Sequence, residues 1–400
     1  MKKPLQPTSV PVVFSRIALL VLSSALLSCG GSSSSSTSSS NSSSVNSPTA
    51  STADTNVEAF TTRSSMETAP EDINPDCVPD EASGLIPPRG YLVSKPGEEP
   101  TRLVVFAHGI GHSVRASWLP HMRRELALAQ ELENNPGSVA FVSTDYRDNF
   151  GFPALRGAHD TIAATQYAME KFPTIDTVYL FGVSMGGAVS GTAIVESTAV
   201  TEDGSSLYDY WLDVEGVSLL HETYTEAQAA ANATGNATAM AAVAGIERDT
   251  GGTPAECPLA YQRRSPVFHA AEMQLAGIRA ATVIHAVNDG LVPHNQGRQM
   301  ASALTTAGIP TQFFTIVGIP EGQDPGSTGT GTLGAGEADS TLNLAGHASE
   351  ADAEHPVMRI AFENLRKMLD GTYNETVPYH ECIIDANIPQ DTCQVDQLQP

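Results

Sequence analysis

Positive charge is scarce in this 400-residue chain: Lys and Arg number 21 against 45 Asp and Glu, for a formal net charge of −24. So acidic a surface repels phosphate backbones, which argues against nucleic acid as a partner; the plainer consequence of the same balance is solubility. Cysteine is scarce too. There are five, none in a C-x-x-C pair or a Cys/His cluster, so no zinc site is indicated. His112, His121, His159, His221, His269 and His294 show no spacing that suggests metal ligation, and no cofactor is called for. No internal repeat is visible. The apolar run from about Ile17 to Leu27 is shorter than the roughly 20 residues that cross a bilayer.

Lys2, Lys3 and Arg16 precede that run, so residues 1–28 read as an export signal. It ends in Leu26-Leu27-Ser28-Cys29, which resembles the lipobox of bacterial lipoproteins. The resemblance implies that Cys29 carries lipid, anchors the chain to a membrane and becomes the mature N-terminus; the alternative is an ordinary secretory signal. Gly30 in place of Asp after the cysteine implies an outer-membrane location in the bacterial cell envelope. The stretch that follows, dominated by Ser, cannot bury enough apolar surface to offset its ordering entropy, and residues 29–76 are expected to form a flexible tether. Residues 77–400 remain as the folded domain. With Cys29 lipidated, four cysteines are left in an oxidising compartment. Cys382 and Cys393 are close in sequence and expected to pair, which leaves Cys77 with Cys257.

Within the domain, strand-like and helix-like stretches alternate. Arg102–Gly109 reads as a buried strand, 117–133 as a helix capped by Ser117, Val139–Val142 as a strand, and 156–172 as a helix. Trp211 to Leu220, Ala281–Val287 and Thr311–Val317 read as further strands, with a helix over 295–308 and a Gly-rich loop over about 319–345. Pro356 starts a last amphipathic helix ending near Leu369. Residues 223–277 break the alternation and are expected to form an inserted cap. The pattern predicts an α/β fold, a mostly parallel central sheet flanked by helices.

The chain is organised around Thr177-Val-Tyr-Leu-Phe-Gly-Val-Ser-Met-Gly-Gly187. A strand runs into Gly182-Val-Ser-Met-Gly186, and small residues follow as a helix. Glycines two residues either side of Ser184 permit a sharp turn that lifts its hydroxyl above the sheet edge and sets the Met185 N–H at a helix N-terminus, where it can donate to a developing oxyanion.

Four marks in order resemble the α/β-hydrolase family over about residues 90–370: His108-Gly109 after an early strand, this Gly182–Gly186 elbow, Asn288-Asp-Gly-Leu-Val-Pro293 after a late strand, and a histidine after the last strand. Arg264-Ser-Pro-Val267, His285–Asp289 and Val292–Gln296 look most like the branch with dienelactone hydrolases, acetyl-esterases and prolyl-oligopeptidase-type catalytic domains. The resemblance implies Ser184 as nucleophile, Asp289 as acid and the Ile110 N–H as second oxyanion donor beside Met185. Glu222 is the fallback acid, and Asp289 has the alternative reading of a turn-forming Asp-Gly. His108 is expected to prop its loop rather than move protons. Tyr146, Phe150, Phe152, Trp118 and Phe268 lie where they could line an acyl pocket, though each reads more readily as core.

For the base, His347 follows Gly346 at the end of the loop on the Ser184 side, whereas His355 precedes Pro356 at the positive end of a helix, which disfavours the imidazolium that the reaction forms. His347 is therefore the expected base and His355 the alternative. The expected function is that of an exported, lipid-anchored serine hydrolase acting on small-molecule carboxylic esters through an acyl-serine. The alternatives are a peptidase or amidase of the same fold, for which 223–277 offers no clear acidic pair, and a non-catalytic envelope protein on a hydrolase scaffold.

Overall fold

The computed structural model describes residues 55–61, 77–78, 88–132, 134, 138–147, 151–235, 237–319, 346–348, 350–388, 393 and 396–397, all within the unit that spans 50–400. The export segment, Cys29, Phe150 and most of the Gly-rich loop lie outside the described residues.

The described chain begins with β1 (Asn56–Thr61), antiparallel to β2 (Arg89–Ser94). This corrects the tether expected over 29–76 at residues 56–61, which form a strand. Val57 packs against the core on one sheet face, and Phe60 is buried on the other, stacked 4.2 Å from Tyr167. Two apolar side chains with partners on both faces offset the entropy of ordering six residues.

The alternation then runs β3 (Arg102–Ala107), α1 (Trp118–Ala129), β4 (Val139–Thr144), α2 (Ala154–Lys171), β5 (Thr177–Val183), α3 (Met185–Glu196) and β6 (Tyr210–Val214). Four helices follow before the next strand, α4 (Leu220–Thr234), α5 (Ala237–Thr250), α6 (Pro258–Arg263) and α7 (Ala270–Leu275). The chain closes with β7 (Ala280–Ala286), α8 (His294–Ala307), β8 (Thr311–Val317), α9 (Pro356–Leu369), β9 (Tyr379–Asp385) and β10 (Asp396–Gln397). The strand order is β1-β2-β4-β3-β5-β6-β7-β8-β9-β10, parallel from β4 to β9 and antiparallel at both ends.

Both faces of the sheet are covered, so the strands are apolar throughout rather than alternating with polar residues. In β3, Val104 and Phe106 join one core with Trp118 of α1 and Phe362 of α9, while Leu103 and Val105 join the other with Ile162 of α2 and Met300 of α8. Between β3 and β5 the chain reverses its direction of travel across the sheet. In open α/β sheets that crevice, at the carboxyl ends of the strands, is where ligands bind. The loops that leave β3 and β5 there carry Gly109 and Ser184.

Other boundaries differ from expectation for local reasons. Ser117 stands at the start of α1 without capping it; its hydroxyl pairs with His112 Nδ1 at 2.8 Å. β6 ends at Val214 rather than at Leu220, because Glu215 turns the chain at φ 48°. α4 and α5 form a helical hairpin, but Ala270 and Met273 of α7 are buried in the core beneath the sheet, so the insertion is narrower than 223–277. After α9 the chain adds β9 to the sheet beside β8, with Cys382 and Ile384 buried.

Cys77 bonds to Cys257 and Cys382 to Cys393, the two pairs expected. A second tie holds the hairpin. Asp249, at the end of α5, lies fully buried between the guanidinium groups of Arg156 and Arg264, accepting from Arg156 Nε at 3.2 Å and from Arg264 Nε at 2.8 Å. Among the described residues no helix is long and apolar enough to cross a membrane.

Candidate active site

Ser184 sits between β5 and α3 at φ 57° and ψ −124°, a conformation that costs a non-glycine residue about 1–3 kcal/mol. The surroundings hold it there. Its N–H donates to the Val214 carbonyl at 3.0 Å, and its carbonyl accepts from Gly187 at 2.8 Å and from Val217 at 3.0 Å. The elbow is also too tight for side chains at its glycines: a Cβ on Gly182 would lie 2.3 Å from the Gly186 carbonyl oxygen, and one on Gly186 would lie 2.1 Å from that of Ala107. Sequence spacing and steric need therefore agree.

Asp289 follows β7 and divides its work. One carboxylate oxygen accepts from the N–H groups of Leu291 (2.8 Å) and Val292 (2.9 Å), which makes the turn. The other faces His347 Nδ1 at 2.8 Å, and His285 Nε2 approaches it at 3.4 Å. The two sequence readings of Asp289, turn former and acid, are thus both met by one side chain. Gly346 lets His347 come this close, since a Cβ there would fall 2.4 Å from the Asn288 backbone. His355 is elsewhere. It is buried at the start of α9, its Nδ1 accepting from the Val357 N–H at 3.3 Å. Glu222 lies in the first turn of α4 and not beside His347.

The carboxylate that sequence reasoning missed is Glu215. It is fully buried, accepts from the Ala286 N–H at 3.2 Å and from the Ala348 N–H at 2.6 Å, and lies 3.7 Å from His347 Nδ1. It ties β7 to the base loop, and only its place just after a buried strand could have marked it. Glu215, Asp289 and His347 form the one group among the described residues that could hold a metal ion. The imidazole–carboxylate bond and the backbone amides already engage these donors.

These charges set the protonation of the imidazole. Burial alone would lower the His347 pKa, but Asp289, Glu215 and Glu350 outweigh it and hold the value at about 9. Burial pushes Asp289 up, but His347 and His285 prevail and keep it ionised, well below the usual carboxylate range. Glu215 is raised to about 7, first by burial and then by Asp289. A base must be neutral to take a proton, so the competent fraction of His347 grows as pH rises towards 9.

Two cavities meet at Ser184. The smaller is lined by Gly109, Ile110, Ser184, His347 and Glu350, among others. Met185 opens α3, so its N–H has no intrahelical acceptor. The larger cavity, about 350 Å³, is apolar and lined by Ile110, Phe152, Val217, Leu291 and several alanines of α4 and α5, with Glu226 as its one charged side chain. Of the described aromatic candidates only Phe152 reaches it. Tyr146 stacks 4.0 Å from His108 and donates to the His108 carbonyl, Trp118 stacks on Phe106 in the core, and Phe268 is exposed. His108 is buried and props the loop through that stack.

Residues 154–318 match the model of the prolyl oligopeptidase family. A search among curated proteins finds no match. Solved structures similar to this chain include the acylaminoacyl peptidase of Pyrococcus horikoshii, at 16% identity and TM-score 0.44, covering 66% of this chain and 37% of that one. Others are an esterase of Pyrobaculum calidifontis (18%, TM-score 0.47, 79% and 85%) and carboxyl esterase 2 of the mycorrhizal fungus Tuber melanosporum (13%, TM-score 0.47, 83% and 90%). The chain thus spans little more than a third of the length of the archaeal peptidase.

Proposed function

We propose that this chain, a serine hydrolase with the α/β-hydrolase fold, cleaves carboxylic esters of small acids through an acyl-Ser184 intermediate. The observation that carries the reading is the shared wall of the two cavities: Ser184 faces His347 on one side and an apolar, alanine-lined space of about 350 Å³ on the other. Nδ1 of His347 is engaged by Asp289, which leaves Nε2 to take the Ser184 proton as Oγ attacks the carbonyl carbon. The oxyanion accepts from the Ile110 and Met185 N–H groups. The imidazolium returns the proton to the departing alkoxide. Water then gives a proton to His347 and attacks the acyl carbon, and Ser184 recovers its proton as the acid leaves.

Turnover of p-nitrophenyl esters tests the reading. The acetate and butyrate are expected to exceed the dodecanoate by at least about tenfold in kcat/KM, because the alanine-lined wall of α4 and α5 offers no long stripe of large apolar side chains to hold a dodecanoyl chain. On the best ester, kcat/KM is expected to rise from pH 6 towards about pH 9 as His347 loses its proton. A profile flat over that range, or a preference for the dodecanoate, would count against it.

One observation favours an aminoacyl substrate as the second reading. Glu226 places a carboxyl on the wall of the larger cavity, its pKa raised to about 7 by burial and by Glu222 and Asp289. An ammonium group is its natural partner, and faster cleavage of an aminoacyl anilide than of the acetate ester would select this reading.

Export and anchoring rest on residues 1–29 alone. Cys29→Ser is expected to move the protein from the membrane to the soluble fraction; retention in the membrane would place the anchor elsewhere.

A further inference from the structure

Glu350 is three residues beyond His347, 1% exposed, and lines the smaller cavity with Ser184. It meets the loop after β3 at two points and α1 at a third. One carboxyl oxygen accepts from the Gly109 N–H in the loop after β3. The other lies 3.9 Å from His112 Nδ1. Its backbone carbonyl accepts from His121 Nε2 of α1 at 2.6 Å. The space between the two loops is fully used: a Cβ added at Gly109 would fall 2.8 Å from the Glu350 carboxyl and 3.2 Å from Cβ of Ser184.

We infer that Glu350 is a positioning residue of this site: its side chain fastens the loop carrying the Ile110 donor to the loop carrying His347. The oxyanion donor follows β3 and the base follows β8, and this carboxyl joins their two loops beside Ser184. Fixing Gly109 orients the next peptide, so the Ile110 N–H is aimed when Glu350 is seated. The inference rests on the roles proposed for Ser184 and His347.

The carboxyl also carries charge into the pocket. The titratable groups that face it are His347 from its own loop, His112 from the β3 loop and His121 from α1, with Asp289 and Glu215 on the far side of the imidazole. His121 is held near 4 by burial and stays neutral. Burial raises Glu350 itself to about 8, against the pull of the Gly109 amide and of His347. Glu350 and His347 therefore titrate in neighbouring ranges, and each ionisation of Glu350 makes the imidazole hold its proton more tightly.

The test compares Glu350→Gln and Glu350→Ala with the parent in the full domain. The amide of Gln keeps an oxygen for the Gly109 N–H; Ala does not. Glu350→Ala is expected to lower kcat by about 100-fold, the scale of losing an oxyanion donor, with KM within about threefold. Glu350→Gln is expected to recover most of that loss and to move the acid limb of the kcat/KM profile about one pH unit lower, since a negative charge beside the imidazole is gone. The rate at which a fluorophosphonate labels Ser184 is measured in parallel, so that a poorly chosen ester does not decide the result. Labelling that persists in Ser184→Ala would instead refute the nucleophile reading. Should Glu350→Ala fail to fold, Glu350→Gln alone decides: a pH profile that does not move overturns the inference. So does wild-type kcat in a folded Glu350→Ala.

Discussion

Replacing Ser184 with Ala is expected to lower kcat by about 10⁴- to 10⁶-fold while the protein stays folded. The hydroxyl makes no cap to α3, so its removal leaves the elbow's hydrogen bonds, all to the Ser184 backbone, in place. Binding in the larger cavity should persist, with KM changed by less than about threefold, because the alanine-lined wall is untouched. A distinguishing companion is Ser184→Gly. At φ 57° glycine relieves strain of about 1–3 kcal/mol that Ser and Ala both bear. The Gly variant should therefore be as inactive as the Ala variant but melt at a higher temperature. His347→Ala should match the loss in kcat. His355→Ala should instead lower thermal stability and spare turnover, since its ring serves the first turn of α9. Near-parental turnover by Ser184→Ala would refute the mechanism, and an inactive, fully folded His355→Ala beside an active His347→Ala would exchange the bases.

Asp249→Ala is expected to destabilise the domain by about 3–5 kcal/mol, a drop in Tm on the order of 10 °C. Asp249 accepts from Arg156, Arg264 and the Leu155 N–H, with no exposed surface on any of the three charged side chains. Burial would raise its pKa, but Arg264 and Arg156 outweigh this and hold it below the usual carboxylate value, so the charge is present at neutral pH. Removing it leaves two cations deep in the protein without their shared counter-ion. The sign with pH follows from a depressed carboxylate: its contribution is complete above its unfolded pKa and is lost as pH falls through the lower folded value. Thermal melts of the parent and of Asp249→Ala at pH 7 measure the effect. A difference under about 2 °C would mean that the cluster does not bear on stability.

Much of this architecture could be read from the chain because the decisive signals are local. β8 is legible since Thr311–Val317 is rich in β-branched and aromatic residues between Pro310 and Gly318, and α9 since Pro356 suits a first helical turn and an amphipathic stretch follows it. The elbow was legible because sterics leave no residue but glycine at 182 and 186. What stayed hidden depends on distant partners. Nothing near Glu215 announces that its carboxylate meets amides of Ala286 and Ala348, and nothing near Glu350 announces Gly109. β1 was hidden for the same reason: Phe60 needs Tyr167, which lies 4.2 Å away in space on α2. β9 reads Tyr-His-Glu-Cys-Ile-Ile-Asp, too polar at its start to resemble a buried strand until β8 is known to lie beside it.

The Cys77–Cys257 bond spans 180 residues and so encloses β2 to β6, the Ser184 elbow and the α4–α5 hairpin in one covalent ring, with Asp289 and His347 outside it. Exposed loop tips are where proteases cut first, and Gly235 at the hairpin turn is such a tip. A single cut there opens the ring without dividing the molecule. Both fragments travel together on a gel until a reductant is added, and the nucleophile stays attached to the half that supplies its acid and base. In a protease-rich surrounding, the first nick in this segment is therefore not a release event.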